Sequence, residues 1–504
     1  MPSSTLISGG TSTFTGTCLL EGDLTLSGNQ KLVFVNATVT LKGNVKLSGS
    51  ATLGIRDSTF NLANDYMFHY SMSAVGNSLI DMRKGELKTS SGVTAGLAVT
   101  SSVFLSDNAV LRLHDVHFDL TKNWILLTLD GNSTLESQDT SNLPTEAYPQ
   151  GNANIRICGP KSSAGIWLKL EDGMRADLSD LPSSDIPGYY QFGRNTPNKT
   201  NVGYEIYILN AKAGFGVSTH PGSELKVNNN SVPITIGYYI ENNTTAIELA
   251  NLPKGPEQRQ TVRLTDQGRE VDLTDTLLTP MAWQIYATNT KQPVTIKDSF
   301  VNEVAAFANA TVKMNNIQFY YAVIAAPQEK GLLEIENSKI ECQSIYADGT
   351  SHVSIRDSKI YGSVVQANGN GTIFLANNEL LKNISNPFAG IGSPVRFQTE
   401  GNGMIVAIGV NEFTSTFARG ATIALKGDVV VESKVAASKP ASYTVTVLNS
   451  SQTQVYSQIR STFGTQVALG TLNTSGWAAG TYVIKVSLTV SGETLSTGRV
   501  FQLN

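Results

Sequence analysis

Over the first four hundred residues, apolar and polar positions alternate in short runs, and one run keeps returning. It reads apolar–x–apolar–x–Asp/Asn–x–x–apolar. "LGIRDSTF" at 53–60 and "VSIRDSKI" at 353–360 are near-twins three hundred residues apart. Between and around them stand "VFVNATV" (33–39), "LRLHDVHF" (111–118), "LKVNNNSV" (225–232), "VDLTDTLL" (271–278), "VTIKDSFV" (294–301), "VKMNNIQF" (312–319), "LEIENSKI" (333–340) and "IFLANNEL" (373–380). In the later half the Asp/Asn falls at 298, 316, 337, 357 and 377, steps of 18, 21, 20 and 20.

A two-residue apolar period inside a unit of about twenty residues predicts a stack of β-strand coils. No single unit can bury its own apolar face, so stability has to come from stacking on neighbours. The spacing predicts that Ile335, Ile355 and Leu375 lie one above another as a core column. Asp and Asn tolerate the left-handed backbone region and bond neighbouring main chain, so they mark a sharp turn between two strands. A leucine-rich repeat has a similar period, but these units lack Leu-x-x-Leu-x-Leu runs. From about 420 the repeat stops. "SYTVTVLN" (442–449), "TYVIKVSLTV" (481–490) and "RVFQLN" (499–504) alternate strictly, which predicts a small β-sandwich with Trp477 and Tyr482 in its core.

The coil units resemble those of right-handed parallel β-helices of the pectate-lyase-like superfamily, over roughly 20–415. "GWAAGTYVIKV" (476–486) resembles the end of immunoglobulin-like or fibronectin-like modules. The expected fold is therefore all-β: a parallel β-helix over 1–419, then an immunoglobulin-like β-sandwich over 420–504. Residues 136–222 are rich in Pro, Gly, Ser and Asn and read as a loop-rich insertion.

Composition narrows the function. Of 504 residues only 15% are charged, and the net charge is −4. A nucleic-acid binder needs a concentrated basic face, which this balance argues against. No apolar run is long enough for a membrane span. A surface solubilised by hydroxyls and amides suits an extracellular or cell-surface protein. The start, "MPSSTLISGG", lacks a signal-peptide layout, so a removed signal is the expectation. Cys18, Cys158 and Cys342 are too far apart for a metal motif and read as buried apolar residues.

The strand preceding each octet offers an outward row. Aligned on Ala287, Ala308, Ala325, Ala347 and Ala367, that row is Tyr286, Phe307, Ile324, Tyr346 and Gln366, with Phe104 and Thr128 in an earlier part. Rings stack on sugar faces and amides fix their orientation, so Tyr286, Phe307, Tyr346 and Gln366 are candidate ligand-binding residues. Trp167, Tyr189 and Tyr190 join them from the loop-rich region. Asp177, Asp180 and Arg194 are candidate catalytic groups, since paired carboxylates serve glycosidic hydrolysis; with Glu171, Asp172 and Asp185 the same carboxylates could instead hold Ca²⁺. No other cofactor is implied. His114 and His117 flank Asp115, but Arg356 and Lys359 hold the matching places in a later coil, so they read as outward, solvated residues rather than metal ligands.

The superfamily's hydrolases carry an Asp-Asp pair and a Gly-His-Gly that this chain lacks. Its lyases use acidic ligands with an Arg or Lys base. Three readings stay open. The first is a secreted or surface protein binding polysaccharide or another surface through its aromatic and amide row. The second is a polysaccharide lyase or glycoside hydrolase working under the 136–222 region. The third is a structural surface or fibre component, a homo-oligomer with the row covered.

Overall fold

The protein is described here from a computed structural model. It covers all residues except 1–9, 65–68, 92–98, 120–122, 142–145, 180–187, 195, 197–200, 257, 328–329, 383–392, 412–413 and 436–438. Every regular element among the described residues is a β-strand. They form two compact units, Met1–Tyr238 with Gly255–Ala282, and Tyr239–Lys254 with Trp283–Asn504.

Each unit is built on a stack of parallel coils. In the second unit the strands Val294–Lys297, Thr311–Asn315, Leu332–Glu336, His352–Arg356 and Thr372–Ala376 pair in parallel, one coil per step. Ile296, Met314, Ile335, Ile355 and Leu375 stand in register and are fully or almost fully buried. The predicted core column is therefore present, and Ile296 and Met314 of the two preceding octets continue it.

The turn residues behave as their chemistry dictates. In all ten octets the Asp or Asn has positive φ, from 48° at Asn36 and Asp57 to 55° at Asn316. Asn316 Nδ2 donates to Asp298 Oδ1 across one coil step at 2.6 Å. The residue after it carries a second function that the repeat did not reveal. Ser338 and Ser358 point inward and are buried. Each hydroxyl donates to the carbonyl two residues back, Glu336 or Arg356, at 2.7 Å. Each also accepts the backbone N–H of the coil before it: Ile317 N donates to Ser338 Oγ and Ser338 N to Ser358 Oγ, both at 3.0 Å. Asn378 Oδ1 continues the series by accepting Ser358 N, and Ser58 repeats it in the first unit by accepting Ala37 N. The turn breaks the regular ladder, and this inward hydroxyl pairs the N–H that would otherwise be left unpaired in the core.

Coil strands also run through residues 136–222, where composition suggested long loops. Thr134–Gln138, Asn154–Cys158 and Glu205–Thr219 pair in parallel register, and Ser163–Leu170 pairs with Glu205–Thr219 as well. The Pro-rich pieces at 142–145 and 180–187 lie outside the described residues. Gly188–Gly193 adds an antiparallel strand against Glu205–Thr219.

At the C-terminal end the pairing changes sense. Met404–Asn411 is parallel to Thr372–Ala376 on one side and antiparallel to Thr422–Ser433 on the other. A second sheet runs Thr416–Phe417, Glu493–Leu503, Gly480–Val490, Tyr443–Asn449, Gln454–Arg460. Residues from both sheets, Ile408, Leu425, Leu472, Val445, Ile484 and Phe501 among them, share one core. Tyr482 is buried, stacked between Phe501 and the partly buried Trp477.

Cys18 and Cys342 are buried as expected, but Cys158 is half-buried and faces the surface. Burial pushes the Cys342 thiol up to about 12.

Candidate functional site

The strand preceding each octet forms its own parallel sheet. From Leu278 onward its members are Leu278–Thr288, Phe300–Phe307, Gln318–Ala326, Lys339–Ala347, Val364–Ala367 and Arg396–Thr399. Their register corrects the row read from the alanines. The inward column is Ala287, Ala306, Ala326, Ala347 and Ala367, not Ala308 and Ala325. A one-residue slip reverses a strand's faces, so Ile324 points inward and is fully buried. A two-residue slip keeps the face but moves the place. Phe307 is thus outward, beside Thr288 rather than Tyr286. The irregularity near Asn302 shifts the offset between strands by two and causes the second slip, while the first comes from the adjacent alanines Ala325 and Ala326, which lie on opposite faces.

What emerges is a broader face. One outward row is Tyr286, Ala305, Ala325, Tyr346, Gln366 and Gln398. Tyr239 stacks on Tyr286 with centroids 4.6 Å apart and planes 28° apart, and Tyr286 meets Phe307 at 6.4 Å. Tyr286 Oη donates to Gln284 Oε1 at 2.9 Å. Further along, Tyr346 Oη donates to Asp348 Oδ2 at 2.8 Å and accepts Asn368 Nδ2 at 3.3 Å, while Gln366 Nε2 donates to Asn368 Oδ1 at 3.2 Å. Partial burial, then the bond to Asp348, push the Tyr346 hydroxyl up to about 12, so it stays a donor. The face carries carboxylates as well, Asp348 and Glu303, both half-buried. Rings at one end and a tied amide–phenol–carboxylate group at the other give a surface with flat apolar area beside fixed donors and acceptors.

The first unit has the equivalent row. Phe104 and Thr128 are register partners, as the offset predicted, and Tyr148 pairs with Thr128. Tyr148 lies 6.0 Å from Trp167. Trp167 pairs with Gly216, and its indole lies flat across that residue: a Cβ there would come within 2.2 Å of the ring. Only glycine leaves room. The indole N–H donates to the Ser218 hydroxyl. Trp167 is buried.

The other candidates from the loop-rich region are not brought together. Tyr189 is 54% exposed and meets Tyr207 edge-on at 5.5 Å. Tyr190, its chain neighbour, points the other way, is buried against Phe215, and has its hydroxyl pKa raised by that burial. Arg194 is a strap: its guanidinium donates to Asn154 Oδ1 at 2.7 Å and to the Asn152 carbonyl, and faces Glu205 at 3.6 Å. Asp177 Oδ1 accepts the N–H of Ser179 and closes a local turn. Asp180 and Asp185 lie outside the described residues. His114 lines the second-strand surface, and His117 bonds Ser141 Oγ at 2.9 Å. No group of three or more His, Cys, Asp or Glu side chains placed to hold a metal ion occurs among the described residues, nor does any helix long and apolar enough to cross a membrane.

No protein-family model, no curated protein and no solved structure matches the chain.

Proposed function

We propose that the protein is a secreted or cell-surface β-helix that binds polysaccharide through the first-strand face. The coils serve as a rigid platform of the pectate-lyase-like kind, and the C-terminal immunoglobulin-like module serves as spacer or anchor. One observation carries this reading. Ring contacts link Tyr239, Tyr286 and Phe307, and parallel register carries the same outward row past Ala305 and Ala325 to the tied Tyr346–Asp348–Asn368–Gln366 group. Flat rings take the apolar faces of sugars, and pre-ordered amides and a phenol meet hydroxyls at little entropic cost. Holding the polar groups in place before the ligand arrives favours binding over a random polar surface.

Affinity electrophoresis in gels containing neutral or acidic polysaccharides tests it. Retardation in at least one polysaccharide, lost in Tyr286→Ala and in Tyr346→Ala with unfolding temperature within a few degrees, is the expected result. Unretarded migration throughout would overturn it. Release of unsaturated product or reducing ends, abolished by Asp177→Ala or Arg194→Ala, would put an enzyme in place of a binder.

A further inference from the structure

The second-strand sheet of the first unit carries a different chemistry. Its outward rows follow from parallel register. One is Gly54, Asp81, Arg112, Glu136, Arg156 and Tyr207; the other is Arg56, Arg83, His114, Gln138, Cys158 and Leu209. The antiparallel strand Gly188–Gly193 then sets Gln191 beside Tyr207 and Tyr189 beside Leu209. A groove of about 320 Å³ runs between Arg83, Arg112, His114, Gln138 and Arg156.

The charges in the first row alternate. Asp81 accepts Arg83 Nε at 3.1 Å and faces Arg56 at 3.8 Å. Glu136 accepts Arg112 Nε at 2.7 Å. The Arg156 guanidinium lies 5.6 Å from the Tyr207 centroid, and no carboxylate is within ion-pairing distance of it among the described residues. Each Nε contact leaves the outer nitrogens of a guanidinium available, and guanidinium stays charged at every working pH. The groove ends at an exposed apolar shelf, where Tyr189 and Leu209 are 54% and 43% exposed.

We propose that this groove is a second saccharide site, selective for chains that carry an acidic group on alternate sugars. Arg112 and Arg156 stand two coils apart, roughly 10 Å at about 4.8 Å per coil. Glu136 lies between them and rejects a third negative charge while accepting hydroxyls. Consecutive anions, as in a phosphodiester backbone or a polymer acidic at every unit, would place charge on Glu136. An acid–neutral–acid sequence meets Arg112, Glu136 and Arg156 in turn, with the Tyr189–Leu209 shelf left for a sugar face. The carboxylate and the sulfate ester are the two anion sources that guanidinium forks fit.

The groove is built from residues of the first unit and the first-strand site from residues of the second, so the two assignments fail separately. The probes are hyaluronan (a carboxylate on alternate sugars), κ-carrageenan (a sulfate ester on alternate sugars), polygalacturonate (an acid on every sugar) and duplex DNA, compared by affinity electrophoresis of the full chain. Hyaluronan or κ-carrageenan should retard the protein more than polygalacturonate or DNA. Retardation should weaken as salt rises from about 0.05 to 0.5 M, since screening reaches exposed pairs. Arg112→Gln/Arg156→Gln should weaken it by about tenfold or more, because charge-assisted bidentate bonds are lost. Arg156→Lys should recover only part, having charge without the fork. In a Tyr286→Ala/Tyr346→Ala background, which removes the first-strand site, Arg112→Gln/Arg156→Gln should still weaken the retardation by the same factor. Three results overturn the proposal: no retardation by the alternating polymers, equal or stronger retardation by polygalacturonate or DNA, or full binding in the Arg112→Gln/Arg156→Gln protein with wild-type circular dichroism.

Discussion

At the corner of a coil and on its first-strand face, the same chain obeys different rules. At the corner the chemistry recurs: Asp or Asn at positive φ, then in the coils that carry it an inward hydroxyl or amide that accepts a backbone N–H of the coil before it. On the face nothing recurs, and Tyr286, Ala305, Ala325, Tyr346 and Gln366 follow one another. Geometry demands the first and only tolerates the second. Because stacking is settled at the corners and in the core column, the outward residues are released from structural duty and can carry recognition.

The comparison can be broken where it is strongest. Ile355, fully buried between Ile335 and Leu375, should cost about 2–5 kcal/mol of stability when cut to alanine, read by thermal or denaturant unfolding. A broad, two-step transition would show that neighbouring coils unfold separately. At the corner, Ser358→Ala strands the buried N–H of Ser338, a loss of about 1–3 kcal/mol. If that variant were as stable as wild type, the inward hydroxyl would be incidental. Asp357, at φ 48°, should tolerate Gly with little change, while Val should cost about 1–2 kcal/mol from the left-handed backbone alone.

A smaller effect depends on pH. His352 donates to or accepts from Thr372 Oγ1 at 2.6 Å, and burial lowers its pKa below the ordinary value. The unfolded chain then binds the proton more readily than the folded one. Stability should be full above the unfolded histidine pKa of about 6.5 and fall as pH drops from there through the lower folded value. His352→Gln should flatten that part of the profile; an unchanged slope would assign it to other groups.

The corner was legible in the sequence because its backbone demand selects Asp and Asn, and a twenty-residue spacing survives small insertions. The core column was legible because Ile335, Ile355 and Leu375 sit in octets that align without gaps. The face was less so. Bulges add residues without changing composition, and the one near Asn302 moved Phe307 along its strand, while Ile324 stands inward because Ala326, not Ala325, continues the alanine column. Alanine was a poor marker there, since Ala305 and Ala306 occupy opposite faces of one strand. The strands within 136–222 were hidden by the Pro, Gly and Asn that interrupt them. The arginine groove escaped notice because its members are single residues spread over a hundred positions, and only register shows that they are neighbours.

The first-strand face is defined by which residues stand opposite each other, and paired cysteines measure that directly. Across adjacent parallel strands, register partners lie about 4.8 Å apart, within disulfide reach, whereas places two residues off register exceed about 7 Å. In a Cys158→Ser background, Thr288→Cys/Phe307→Cys should cross-link readily under mild oxidation and Tyr286→Cys/Phe307→Cys should not, as mass spectrometry of the digests would show. Cross-linking of the second pair with none in the first would contradict the register, and with it the surface on which the binding site is built.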